Sequence, residues 1–149
     1  MNIAEMMEKL MDTDANAAYQ VLKELAAASE NSDVVYGYMN IFSKMISHKN
    51  SYIRTRGLIL IAANAKWDTD NIIDEVIDEY LKHILDAKPI TSRQCIKSLP
   101  QIAKYKPDLK EDIIIALEKA DTSIYPDTMQ PLVYKEITAA LNKIKEQIP

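Results

Sequence analysis

Hydrophobic residues recur at three- and four-residue intervals along almost the whole chain, broken by short clusters of Asp, Asn, Ser and Pro. A period near 3.6 residues gathers such positions into one stripe of a helix, and the polar clusters mark where one helix stops and the next begins. The pattern predicts eight helices, over 3–12, 15–29, 33–47, 51–67, 71–85, 90–105, 108–120 and 128–147. Asp14, Asp33, Ser51 and Asp70 stand where a side-chain oxygen accepts from the free amides of a first turn. Pro89, Pro107 and Pro126 stand near starts, where a missing amide proton costs little. Pro100 falls inside the sixth helix, where it removes the bond to the Ile96 carbonyl and is expected to bend the helix.

The helices repeat. A shift of 38 residues carries Gly57, Ile61, Ala65, Lys66 and Trp67 onto Cys95, Leu99, Ala103, Lys104 and Tyr105, so small, aliphatic, small, basic and aromatic residues return in order. The same shift carries Cys95, Leu99 and Ala103 onto Val133, Ile137 and Leu141, and a shift of 39 carries Gly57, Ile61 and Ala65 back to Ala18, Leu22 and Ala26. The alternate helices follow, with Val34, Tyr38, Phe42 and Ile46 matching Ile72, Val76, Tyr80 and Ile84. Self-similarity at this period is the mark of stacked helix pairs. The pairs are expected over about 1–30, 31–68, 69–106 and 107–149, forming one domain over 1–149. Between Gly57 and Ala65 the fourth helix is apolar nearly all round, as a helix covered by its partner and by both neighbours should be. Gly57 and Cys95 are the small residues expected to let neighbouring helices approach closely.

Ser51-Tyr-Ile-Arg-Thr-Arg-Gly57, followed by Leu-Ile-Leu-Ile-Ala-Ala, resembles the second helix of a HEAT repeat, with Ile53, Arg54, Gly57 and Ile61 in the positions of that family's motif. In the third copy Ser92 stands at the Arg position. The resemblance extends over nearly the whole chain, which is similar to small uncharacterised bacterial HEAT-repeat proteins. It implies an all-α fold, an alpha-alpha superhelix of the armadillo type built as a solenoid of four helix pairs, and a role in binding or scaffolding.

Composition narrows the function. The 149 residues include only two glycines, Gly37 and Gly57, which leaves no glycine-rich phosphate loop and few hairpin turns. The single cysteine, Cys95, allows no internal disulfide and fits a reducing compartment, so a cytoplasmic location is expected. The acids Glu5, Glu8 and Asp12 interrupt the N-terminal apolar stretch, so no secretion leader is expected there. The longest uncharged apolar run, 57–65, is far shorter than the roughly 20 residues a membrane span needs. No sequence motif pairs His48, His83 or Cys95 with a catalytic partner, no cofactor is implied, and a non-enzymatic protein is expected. Each histidine is expected at the surface.

The net charge of −4 conceals blocks: 34–67 holds five bases and no acid, 68–80 six acids and no base, and 81–107 six bases and one acid. At 100° per residue, Arg93, Lys97 and Lys104 fall within about 40° of one another and opposite Cys95, Leu99 and Ala103. The HEAT resemblance implies that such faces of the second helices line a concave surface. There Lys66, Arg93, Lys97, Lys104 and Lys135 would form a basic groove, with Tyr52 and Arg54 as neighbouring contacts. The competing reading is a solvated surface, with Lys66 and Lys104 favouring the negative ends of their own helices. Trp67 and Tyr105, at matched helix ends, are expected to pack against the following repeat. Asp70, Asp74 and Asp78 form a row on one helix face, expected to be exposed.

Two functions follow as expectations. The first is an interaction module binding a protein partner on the groove. The second is nucleic-acid binding by the same groove, which resembles the HEAT-like DNA alkylation repair glycosylases, although their catalytic acid and tryptophans have no counterparts that align here. The acidic first and last blocks imply capped ends and a monomer.

Overall fold

The computed structural model describes residues 2–147. They contain eight α-helices and no strand: α1 (Ile3–Leu10), α2 (Ala15–Asn31), α3 (Met39–Met45), α4 (Ser51–Ala63), α5 (Ile72–Lys82), α6 (Pro89–Tyr105), α7 (Lys110–Lys119) and α8 (Gln130–Lys145). Met1, Ile148 and Pro149, which the predicted outer pairs include, lie outside the described residues. The chain divides into two compact units, 1–73 and 74–149. The division falls near the start of α5.

Short 3-10 turns extend or precede several helices, at Tyr36–Tyr38, Ala65–Trp67, His83–Leu85, Pro107–Leu109 and Thr122–Ile124. They explain some of the differences from the predicted spans. The helix expected from 33 begins with the turn at Tyr36–Tyr38, and the tighter winding shifts its phase, so that Val35 is fully buried while Val34 is 52% exposed. Asp14 caps α2 through the amide of Asn16, as its position implies. Elsewhere the cap is a neighbour of the expected residue: Asn50, not Ser51, accepts from the Tyr52 and Ile53 amides, and Asp68, not Asp70, accepts from those of Ile72 and Ile73. Before α3, Ser32 and not Asp33 supplies the side-chain acceptor, to Val34.

Unit 1 packs α1 on α2, α3 on α4, and α2 on α4. Contacts join the loop before α2 to the first half of α4, and the end of α2 to the end of α4, so α2 and α4 run in the same direction. Gly57 sits where α4 meets α3: a Cβ there would lie 2.8 Å from Met45 Cβ and 3.0 Å from the Phe42 carbonyl oxygen.

Unit 2 packs α6 against α7 and α8, and α7 on α8. Lys106, just past α6, pairs with Asp74 near the start of α5 at 2.8 Å, which makes α5 and α6 antiparallel. Contacts of Arg93 with Glu136 and of Pro100 with Gln147 make α6 and α8 parallel. Pro100 does not end α6, which remains one helix of 17 residues.

The predicted small-aliphatic stripe contributes to the core of each unit. Ala18, Leu22, Gly57, Ile61, Ala65, Cys95, Leu99, Ala103, Val133 and Ile137 are all buried; Ala26 and Leu141 are half-buried.

Candidate binding site

The seven residues expected to bind divide between the units: Tyr52, Arg54 and Lys66 belong to unit 1, and Arg93, Lys97, Lys104 and Lys135 to unit 2. In unit 1 the cations are held by backbone. A helix leaves its last four carbonyls without intrahelical donors, and the units meet that need with side chains from neighbouring helices. Lys66 Nζ donates to the Glu30 carbonyl at 2.6 Å and Trp67 Nε1 to that of Ser29 at 2.7 Å, so together they close the end of α2. Trp67 therefore reaches back to the preceding helix pair. Arg54 Nη1 donates to the carbonyls of His48 and Lys49 at 3.0 and 2.9 Å, closing the loop after α3.

Arg56 does the same for α1. Its Nη1 lies 2.8 Å from both the Leu10 and Asp12 carbonyl oxygens, and the residue is 4% exposed. Burial lowers its pKa from the ordinary arginine value, and the nearby Asp12 charge opposes that shift. Tyr52, in the first turn of α4, remains 61% exposed.

In unit 2 the stripe on α6 faces outward and meets α8. Arg93 Nη2 and Lys97 Nζ both approach Glu136 Oε1, at 3.2 and 3.5 Å. Arg93 Nε is buried and has no hydrogen-bond partner. Lys104 is exposed, with Nζ 5.2 Å from the centre of the Tyr105 ring. Lys135 is exposed one residue before Glu136, about 100° round α8 from it. The stripe also has an apolar end, since Ile90 lies in line with Arg93 and Lys97 and is 73% exposed. Across from it, Leu132, Glu136, Ala139 and Lys143 share one face of α8, with Leu132 39% exposed. A dimple of about 30 Å³ lies between the helices, lined by Lys97, Pro100, Glu136, Ala139, Ala140 and Lys143.

The two helices have an uneven charge. α6 carries Arg93, Lys97 and Lys104 and no acid; α8 carries Lys135, Lys143, Lys145 and one acid, Glu136. Sequence reasoning found the α6 stripe but missed Glu136. A carboxylate 43 residues beyond Arg93 becomes its neighbour only once α8 has packed beside α6.

Several of the remaining polar features have structural partners, although His83 Nε2 and Asn64 Oδ1 are buried without one. Asp70 accepts from the Tyr36 hydroxyl at 3.0 Å and Asp74 pairs with Lys106, so the acidic row is partly engaged. The same hydroxyl lies 2.8 Å from Asp68 Oδ1, so its one proton is shared between the two carboxylates, and burial, with these carboxylates, raises its pKa far above the ordinary tyrosine value. No group of three or more His, Cys, Asp and Glu among the described residues is placed to hold a metal ion.

His83 is buried, contrary to the expected surface position. Its Nδ1 lies 2.7 Å from Asp86 Oδ2, while the Asp86 carbonyl accepts from Tyr125 Oη at 2.6 Å. These contacts join the loop before α6 to the loop before α8. Ser92 donates to the Ile84 carbonyl and Cys95 Sγ to that of Tyr80, so neither the hydroxyl nor the thiol is set against the imidazole as a nucleophile against a base. Burial, reinforced by the Asp86 charge, raises the Cys95 pKa well above the ordinary thiol value. His48 is half-buried and accepts from the Asn50 amide.

No protein-family model, curated protein or solved structure matches the chain. Among the described residues no helix is long and apolar enough to cross a membrane.

Proposed function

We propose that the chain is a non-enzymatic, HEAT-like interaction module that holds a protein partner on the α6–α8 face of unit 2. One observation carries the reading: two parallel neighbouring helices present a continuous face with exposed apolar groups, Ile90 and Leu132, at one end and the cations Arg93, Lys97, Lys104 and Lys143 along the rest. An apolar anchor beside charges that set orientation is the composition of a specific protein contact.

A protein is preferred to nucleic acid because of what the cations already do. Lys66 and Arg54 hold carbonyls, which removes them from a phosphate-tracking groove. The remaining face ends in the exposed Ile90 and Leu132, an apolar anchor that a protein segment uses and a phosphodiester backbone does not.

The test uses the full chain and an Arg93→Glu, Lys97→Glu, Lys104→Glu variant as baits in lysate, with and without nuclease. Any retained protein is then purified and titrated against both. A purified protein that binds the wild type and loses at least tenfold in affinity for the variant is the expected result. Retention that vanishes with nuclease moves the assignment to nucleic acid, and equal titration of both baits refutes this face.

A further inference from the structure

We infer that Glu136 is a built-in competitor: it occupies the place that a carboxylate of the partner takes when an acidic segment docks between α6 and α8. This rests on the reading of the α6–α8 face as a protein-binding surface, and it adds the chemistry of the partner and a device that limits its affinity.

The geometry at Glu136 motivates it. A guanidinium and a carboxylate bind best as a two-point fork, in which two N–H groups meet two oxygens. Here Arg93 reaches Glu136 with Nη2 alone, at 3.2 Å, and Lys97 crowds the same oxygen at 3.5 Å. The Arg93 Nε is left buried without a partner. A single internal carboxylate thus serves two cations and satisfies neither fully. The Nε is closed to solvent where it stands, so an incoming carboxylate that displaces Glu136 engages Nε and Nη2 together by drawing the guanidinium, 30% exposed through its other atoms, outward.

The surroundings fit the same occupant. Pro100, Ala139 and Ala140 are short side chains beside the dimple, so a partner backbone can approach closely; its volume of about 30 Å³ has room for roughly two waters or one carboxylate group. Lys143, on the rim, has no ion pair among the described residues, and Lys104 has only its contact with the Tyr105 ring. Between Arg93 and Lys104 lie three turns of α6. The complementary ligand is therefore a short acidic segment with acids at helical spacing and an apolar residue at the end that meets Ile90 and Leu132.

The test is fluorescence anisotropy with the full chain and a labelled, glutamate-rich amphipathic peptide ending in leucines, at about 0.05 M and about 0.15 M salt. A labelled single-stranded oligonucleotide of equal charge is measured in parallel. Removing an internal ion pair and its repulsion should tighten peptide binding by about three- to tenfold in Glu136→Gln. Glu111→Gln, the same charge change on exposed α7, should stay within about twofold. Lys143→Gln, an exposed change with no internal ion pair to lose, should weaken binding, and thermal melts establish that each variant is folded.

Peptide binding that is unchanged or weaker in Glu136→Gln overturns the competitor. A preference for the oligonucleotide overturns the acidic-segment assignment. Absence of peptide binding to wild type and Glu136→Gln at the lower salt overturns both. If a purified protein partner depends on the α6–α8 face but is indifferent to Glu136→Gln, the interaction module stands and this inference alone falls.

Discussion

Gly57→Ala tests how closely α3 and α4 approach. The added Cβ would lie 2.8 Å from Met45 Cβ, 3.0 Å from the Phe42 oxygen and 3.1 Å from Ile46 Cγ2, whereas carbon atoms pack best at roughly 3.5–4.0 Å. The closest carbon is the root of the Met45 side chain and the oxygen is main chain, so no rotamer change relieves the contact and α3 itself must shift. Phe42, Met45 and Ile46 are at most 2% exposed, which leaves little space for that movement. Overpacking of this kind costs about 1–3 kcal/mol, while replacing a mid-helix glycine by alanine returns about 0.5–1 kcal/mol. The expected net loss is about 1–2 kcal/mol. Gly37→Ala is the opposite control: a Cβ there meets nothing within 4 Å and the backbone has no positive φ, so restricting the unfolded chain should stabilise by about 0.4–1 kcal/mol. Both glycines lie in unit 1, as does Trp67, the one tryptophan, so urea unfolding followed by tryptophan fluorescence reports the unit concerned. The midpoint should fall for Gly57→Ala and rise for Gly37→Ala at constant m-value. A Gly57→Ala protein as stable as wild type would refute the close approach.

Three further outcomes follow from the buried polar groups. Cys95 is fully buried with a raised pKa, so a disulfide reagent at about pH 8 should leave it unmodified in the folded protein and titrate it fully in denaturant; rapid reaction without denaturant would contradict the packing. Tyr36, Tyr80 and Tyr125 have pKa values raised chiefly by burial, so their stabilising contribution is complete below the unfolded value near 10 and is lost as pH climbs through the folded values. Chemical denaturation at rising alkaline pH should therefore show declining stability, and Tyr36→Phe should lose about 1–2 kcal/mol at neutral pH and show a shallower alkaline decline; equal slopes would count against the Asp68 and Asp70 contacts. Arg56→Ala removes charged hydrogen bonds to two carbonyls at about 1.5–3 kcal/mol each, and amide exchange should speed up most over 3–12. Uniform exchange across unit 1 would argue that Arg56 does not hold α1.

The eight helices and the buried stripe of Ala18, Leu22, Gly57, Ile61, Cys95, Leu99, Val133 and Ile137 were legible in the sequence because burial energy accumulates with apolar area, and periodicity records where that area goes. Phase was less legible. The exposed Val34 and buried Val35 depend on a 3-10 turn that a fixed 100° step does not anticipate. Cap choice is of the same kind: Asp68 and Asp70 are equivalent by composition, and Asp68 is the one that accepts the Ile72 and Ile73 amides, across Asn71 at φ 57°.

The cations were the hardest to assign, for a reason that bears on function. Arg54, Arg56 and Lys66 are satisfied by carbonyl oxygens, which every residue carries and no side-chain pattern reveals. Arg93 and Lys97 are met by a carboxylate, but one brought beside them only by the packing of α8 on α6. A basic residue in this all-helical chain therefore has two common partners, a helix end or an acid on the neighbouring helix, and its own spacing separates neither from a free surface charge. What does separate them is whether a bond saturates the group. The carbonyl contacts of Arg54 and Arg56 join helices and loops within one unit, and a ligand that displaced them would leave backbone oxygens unpaired. Arg93 shares a single oxygen with Lys97 and keeps a buried, unpaired Nε, so its internal pairing leaves it unsaturated, which is the basis of the proposed exchange of Glu136 for an external carboxylate. That difference is the reason the contact is proposed on the α6–α8 face and not along all the predicted basic positions.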